Sequence, residues 1–277
     1  MSQPAERDYV LGTHDEEIER LALQHRVWRP RVLDAWARAG FGGGQTLLDV
    51  GCGPGHATLD LAALAGPSGR VVAVDQSRRF LEALAQRAEG RGFTNIERRE
   101  HDLDDPGFGD LQADGAWARW IFAFVRRPRE LLTHVVQALA PGGVLVVHEY
   151  FDYRTWRLLP RSTDHEEFVS LVMESWREAG GEPDIALSVP AWLLELGLEI
   201  RELRPIVDVV APTSPVWPWP RTFIEVGLKR LVELGRLSEA RAGEIWRSFR
   251  EREAGPGALM ATPAVLEVIA VRPRRTP

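Results

Sequence analysis

Apolar residues recur at helical spacing over the first forty positions. Thr13 and Glu16 have capping-box spacing, and Ile18, Leu21 and Leu23 give the segment an apolar side. Pro30 is expected to break or restart this helix, and a second runs through Val32, Leu33 and Trp36 to a stop at Gly40. From Thr46 the texture changes to strand, turn and helix in alternation. Thr46–Val50, Val71–Val74, Asn95–Arg99, Gly115–Arg119 and Val144–Val147 read as strands. His56–Ala65, a segment capped by Ser77 and reaching Glu89, and Pro128–Leu139 read as helices. This alternation predicts right-handed β-α-β units and an α/β fold whose sheet is mostly parallel and covered by helices on both faces.

Beyond Glu149 the alternation stops. Thr163 and Glu166 form a second capping box, opening a helix with Phe168, Leu171, Val172 and Trp176 on one side. Ser188-Val189-Pro190 starts a short helix ending at Gly197, and Leu198–Val210 is strand-like. Residues 211–220 are a proline-dense connector, expected to be neither regular helix nor central strand. Two amphipathic helices, Thr222–Leu234 and Ser238–Arg252, precede a last strand, Val265–Val271, which brings the predicted strands to seven. The organisation expected is an N-terminal helical segment over the site (1–40), a core that holds the site (41–150), and helical lid insertions with the last two strands of the same sheet (151–277).

Composition narrows the functions open to such a chain. Its 277 residues are 44% hydrophobic and 27% charged, with net charge −6, which disfavours a nucleic-acid partner. No stretch approaches the roughly 18 apolar residues of a membrane span, and the N-terminus lacks a secretory pattern. Cys52 is the only cysteine, so neither an intrachain disulfide nor a cysteine zinc cluster forms; no metal is expected. A reduced, cytoplasmic protein follows as the expectation. Lys229 is the only lysine, and none of the 10 tryptophans falls between Ala37 and Ala116.

The chemistry concentrates in Asp49-Val-Gly51-Cys-Gly53-Pro-Gly55-His56, a strand delivering a glycine turn into a helix. Glycines there let backbone approach a ligand, and the helix start offers free N–H groups to an anion. Asp75 ends the next apolar strand, where a carboxylate can hold ribose hydroxyls. A dinucleotide fingerprint needs its third glycine where His56 stands, and a P-loop needs a lysine that this stretch lacks.

These residues, with Val74-Asp75, His101-Asp102-Leu103 and Leu139-Ala-Pro-Gly-Gly143, resemble the class I S-adenosylmethionine-dependent methyltransferases over residues 46–149. Tyr9-Val-Leu-Gly12, Arg20-Leu-x-x-Gln24 and Arg119 look like the ubiquinone/menaquinone-type branch, which acts on small molecules. The resemblance implies a Rossmann-like sheet, S-adenosyl-L-methionine as cofactor and S-adenosyl-L-homocysteine as product. It also implies that Gly51 and Gly53 lie against the amino-acid end of the cofactor, Asp49 orients its amino group and Asp75 holds the ribose. Gln76 would pack on adenine, Asp102 would accept from its exocyclic amine and Leu103 would offer a backbone N–H. Backbone near Ala118 and Arg119 would meet the methionine amine or carboxylate, with Tyr9 and Gln24 closing over it. His101 departs from the glycine more usual in that run.

At the acceptor end the candidate bases are Glu149, preferred, and His148, both expected just past the fifth strand with one of the two facing the pocket. His134 reads as a partly exposed helix residue, His165 as capping or exposed, His56 as close to the cofactor, and Cys52 as loop packing. Trp120, Tyr150, Tyr153, Trp217 and Trp219 are the candidate substrate-binding aromatics, the last two held by prolines. The expected reaction is methyl transfer to an O, N or C nucleophile of an apolar, natural-product or quinone-like small molecule. The alternatives are a non-methylating enzyme on the same fold, such as a cyclase, and a non-catalytic cofactor-binding module. A homodimer is compatible with this reading; a nucleic-acid or membrane partner is not.

Overall fold

The computed structural model describes residues 15–274. Five strands, β1 (Thr46–Val50), β2 (Arg70–Asp75), β3 (Ile96–Glu100), β4 (Ala113–Arg119) and β5 (Leu139–Asp152), lie parallel. β6 (Arg157–Leu159), β7 (Glu199–Ile206), β8 (Val209–Val210), β9 (Leu259–Ala261) and β10 (Ala264–Val271) follow. The main sheet runs β3-β2-β1-β4-β5-β10-β7, with β10 antiparallel to both neighbours. This is the seven-stranded, mostly parallel sheet that the alternation predicts.

Its inner strands are near-continuous apolar runs, Leu47-Leu48 and Val71 to Val74, because helices cover both faces. The helices are α1 (Asp15–Ala39), α2 (His56–Ala65), α3 (Arg78–Gly90), α4 (Pro128–Ala138), α5 (Thr163–Glu178), α6 (Val189–Glu195), α7 (Pro218–Glu233) and α8 (Glu239–Ala254). On one side of the sheet α1 packs Trp28, Trp36 and Val32 against Leu47, Trp117 and Val146. On the other, Leu131, Leu132 and Val135 of α4 meet Leu48, Val50 and Leu145. The strand order turns outward on either side of the β1/β4 pair, so a crevice opens at their carboxyl ends.

Several local expectations are corrected. α1 is one helix with Pro30 inside it, not two. The proline deprives the Arg26 carbonyl of its usual i+4 donor, at a cost of about 3 kcal/mol. Burying Trp28 and Trp36 on the same helix offsets this, at roughly 1.5–3 kcal/mol for each large apolar side chain. Thr13 lies outside the described residues. The cap of α5 is Ser162, whose hydroxyl accepts from His165 N–H, while Glu166 pairs with Arg161. β5 runs on to Asp152, so His148 and Glu149 lie within the strand rather than past it. The connector at 211–220 is partly helical: α7 opens at Pro218, because the first helical turn has no use for the missing N–H groups of Pro218 and Pro220. The predicted strand at 198–210 divides, with β8 leaving to join a second sheet, β6-β9-β8. On α7 the exposed Lys229 reaches across to Glu16 of α1, with 3.8 Å between Nζ and the carboxylate.

Candidate active site

The crevice is a cleft of roughly 1500 Å³, lined by the glycine turn, the ends of β1, β2 and β4, and part of α1. Its volume exceeds the roughly 300–1,000 Å³ typical for one ligand, which leaves room for a cofactor and an acceptor together. Gly51 has φ +65°, and a Cβ there would collide with the Ile121 side chain. Gly53 has φ +53° with nothing within 4 Å of where a Cβ would stand, so its bare backbone borders open space. Both positions exclude a side chain, for different reasons.

Asp75 fixes this turn from the end of β2. Its Oδ2 accepts from Gly53 N–H and its Oδ1 from Ser77 N–H, each at 2.8 Å. Burial pushes its carboxyl up to about 6, although those amides pull it down. Asp49 accepts from the Thr58 hydroxyl at 2.6 Å, and burial raises it to about 7. Gln76, Asp102 and Leu103 line the far end of the cleft, beside His101. Asp102 also accepts from Asp104 N–H at 3.0 Å, a loop-stabilising bond.

The near end is aromatic and cationic. The Arg119 guanidinium lies 5.8 Å from the Trp117 ring centre and 5.1 Å from that of Trp120. Burial lowers Arg119 to about 10, against the pull of Asp49. Its Nη2 donates to His25 Nδ1 at 3.3 Å, while Nη1 has no partner among the described residues. Gln24, with the Arg20 guanidinium on its Oε1 at 2.7 Å, closes the cleft from α1. His56 also lines it, with burial lowering the imidazole to about 4. Cys52 is buried at the edge, and burial drives its thiol up, away from a nucleophilic thiolate.

Other candidates are placed differently. Ala118 is fully buried behind the cleft wall, in the core on the α4 side. Tyr9 lies outside the described residues. Glu149 does not line the cleft: its Oε1 accepts from Ile121 N–H at 2.5 Å and Phe122 N–H at 2.7 Å. It therefore braces the turn after β4, where Trp120 holds φ +53°, the one non-glycine positive φ among the described residues. His148, on the opposite face, is sealed beside Trp28 and Trp117 and bonded through Nε2 to Glu267 at 2.9 Å. Neither reaches the acceptor end as a base. Of the five aromatics expected to bind substrate, Trp120 alone lines the cleft; it stacks between Tyr150 (5.4 Å) and Trp219 (5.7 Å), which stand behind it. Tyr153 packs deeper, on Tyr150 and Trp176. Trp217 faces away, stacked on Phe249 and donating to Glu253 at 2.7 Å. His165 is buried against Trp156 and Phe168 rather than exposed. No cluster able to hold a metal ion occurs among the described residues.

Sequence reading passed over His25, Trp117 and Phe124. The signal for His25 was a polar stripe, Glu17, Arg20 and Gln24 at helical spacing, within an otherwise apolar face.

Comparison with known proteins agrees with this geometry. The methyltransferase domain family matches residues 47–143. The 2-phytyl-1,4-naphtoquinone methyltransferase of Nostoc is 36% identical over 161 residues, covering 54% of this chain and 69% of that protein. The demethylmenaquinone methyltransferase of Symbiobacterium thermophilum is 26% identical over 218 residues, covering 64% and 86%. An uncharacterized 37.1 kDa protein in transposon TN4556 of Streptomyces fradiae is 33% identical over 106 residues, which span only 30% of its length. Among solved structures, the [4+2]-cyclase SpnF superposes with a TM-score of 0.53 at 21% identity, covering 88% of this chain and 80% of that one. That likeness shows the fold alone.

A glycine turn and acidic strand end at the switch point of such a sheet, with the matched domain, define an α/β methyltransferase. The chain belongs to the class I S-adenosylmethionine-dependent methyltransferases and resembles their ubiquinone/menaquinone branch. Its cofactor is S-adenosyl-L-methionine. The residues present suit that group: open backbone at Gly53, two carboxylates at strand ends, and a part-buried guanidinium whose Nη1 is unpaired.

Proposed function

We propose that the chain transfers a methyl group from S-adenosylmethionine to an O, N or C nucleophile of an apolar small molecule of quinone-like or natural-product type. The observation that carries this reading is one continuous cleft, polar and acidic from Gly53 and Asp75 to Asp102, and walled by Trp117, Trp120 and Phe124 at its other end. When bound, the cofactor supplies the electrophilic methyl group. Asp75 has accepting capacity left over from its two amide bonds for the ribose hydroxyls, and Gln76, Asp102 and Leu103 surround the adenine. Asp49, Gln24 and Arg119 surround the amino-acid end. Trp120 and Phe124 keep water from the acceptor and align a flat ring.

Neither Glu149 nor His148 is offered to the acceptor end as a base, since both are engaged behind the wall. Such a site favours an acceptor that arrives already nucleophilic, as an ionised phenol or enol does. The relatives named for naphthoquinone and demethylmenaquinone methylation support that class.

Calorimetry with S-adenosylhomocysteine tests the cofactor site. Wild-type protein should bind it, and Asp75→Ala should weaken binding by on the order of 1–3 kcal/mol through lost charge-assisted hydrogen bonds. An unchanged dissociation constant would remove the ribose role. Turnover of an acceptor that releases no S-adenosylhomocysteine would point instead to a different reaction on this fold.

A further inference from the structure

A guanidinium N–H shut away from water is costly unless an acceptor answers it, and Nη1 of the part-buried Arg119 is so placed. Arg119 has no carboxylate within ion-pair distance among the described residues, and its Nη1 is unpaired. Its one hydrogen-bond partner there is an uncharged ring nitrogen, and that choice carries information. Arginine only donates, so His25 Nδ1 must accept at 3.3 Å. The imidazole then carries its proton on Nε2, which donates to Asp60 Oδ2 at 3.0 Å. Asp60 is itself gripped by Arg29, with Nε–H···Oδ2 at 2.7 Å and Nη2–H···Oδ1 at 3.1 Å. Asp60 stands on α2 and His25 on α1, so the two helices flanking the glycine turn are tied together at this point. A second tie runs along α1 itself: Glu17 holds Arg20 in a bidentate pair, and Arg20 donates to Gln24 Oε1. With its oxygen so engaged, the Gln24 amide has its N–H groups left to offer.

We propose that Asp60 and His25 are positioning residues that hold the Arg119 guanidinium so that its Nη1 N–H, together with the Gln24 amide N–H groups, recognises a carboxylate in the cleft: that of the cofactor's amino-acid end. The proposal rests on the cofactor reading given above. Arg119 and Asp49 stand on neighbouring strands, β4 and β1, on the same face of the sheet as Trp117. A ligand end carrying both an ammonium and a carboxylate matches a carboxylate and a guanidinium so placed. A neutral acceptor oxygen would leave the cation uncompensated.

The relay makes a distinction that ordinary packing does not. Binding of S-adenosylhomocysteine and of 5′-methylthioadenosine, which lacks the amino-acid end, is measured by calorimetry on wild type, His25→Leu and His25→Asn, with melting curves for each. Wild type should prefer S-adenosylhomocysteine. His25→Leu should lose about tenfold or more in affinity for it, the scale of a hydrogen bond to a charged group, and keep its affinity for methylthioadenosine. His25→Asn, whose side-chain oxygen can accept near the Nδ1 position, should recover part of the loss. Asp60→Asn provides a second route to the same split should His25→Leu fail to fold. Equal loss for both ligands, or no loss for either in a folded variant, overturns the relay while leaving the cofactor reading intact. Wild-type protein that binds neither ligand overturns both.

Discussion

Glu149 shows how one side chain can be essential to a site without entering it. Its carboxylate holds two backbone N–H groups of the turn that carries Trp120 at φ +53°. Removing it strands both donors in a dry interior, at about 1–3 kcal/mol for each unsatisfied group. Glu149→Ala should therefore lose roughly 2 kcal/mol or more of stability by chemical denaturation. Burial raises the Glu149 carboxyl from about 4.5 to about 8. Since the folded state holds this proton more tightly than the unfolded chain, its contribution is complete below pH 4.5 and is lost as pH rises through 8. The isosteric Glu149→Gln does not titrate, so stability measured from pH 6 to 9 should fall less in the variant than in wild type. Parallel curves would show that Glu149 does not titrate there. Sequence placed Glu149 and His148 at the right end of the right strand, because period-2 alternation is a local property. It could not tell that one would meet the Ile121 and Phe122 amides and the other Glu267, residues 27 to 119 positions away.

Among the elements, α7 separates two tryptophans that look equivalent in sequence. Trp219 stacks on Trp120 and meets Trp28 edge-on at 4.9 Å, so it backs the cleft wall. Trp217 is spent on Phe249 and Glu253, tying α7 to α8. Each change to Ala should cost about 3–5 kcal/mol of stability, but only Trp219→Ala should also raise the KM for the acceptor. If Trp217→Ala raises KM equally in protein that remains folded, the wall is not local to Trp219. Helices such as α2 and α3 were legible because a glycine turn or a serine cap marks their start. α7 was not, because three prolines near its start discouraged a helix. Their rule fails only in the first turn, and where that turn begins is fixed by packing against α1 and α8.

At the scale of the whole molecule, the seven-stranded sheet was readable from β-α alternation, since each unit buries its own apolar run. The small β6-β9-β8 sheet was not, because its pairings join residues about 50 to 100 positions apart, such as Leu158 to Met260 and Val210 to Met260. Two histidines are enclosed on the way: burial lowers His148, against the pull of Glu267, and lowers His165 from 6.5 to about 4. A depressed histidine contributes stability above its ordinary pKa that disappears as pH falls through the folded value. Thermal stability should thus decline from pH 6.5 towards 4, and His165→Phe should show a shallower acid limb than wild type in scanning calorimetry. An acid limb of unchanged slope would locate the titration elsewhere.

The contact between Lys229 and Glu16 joins α7 to α1, the helix that borders the cleft. Because that lysine is the chain's sole side-chain amine, an amine-directed dye would mark this seam alone among side chains. The protein thus carries its own reporter address, at the junction that must part if α7 lifts to admit an acceptor.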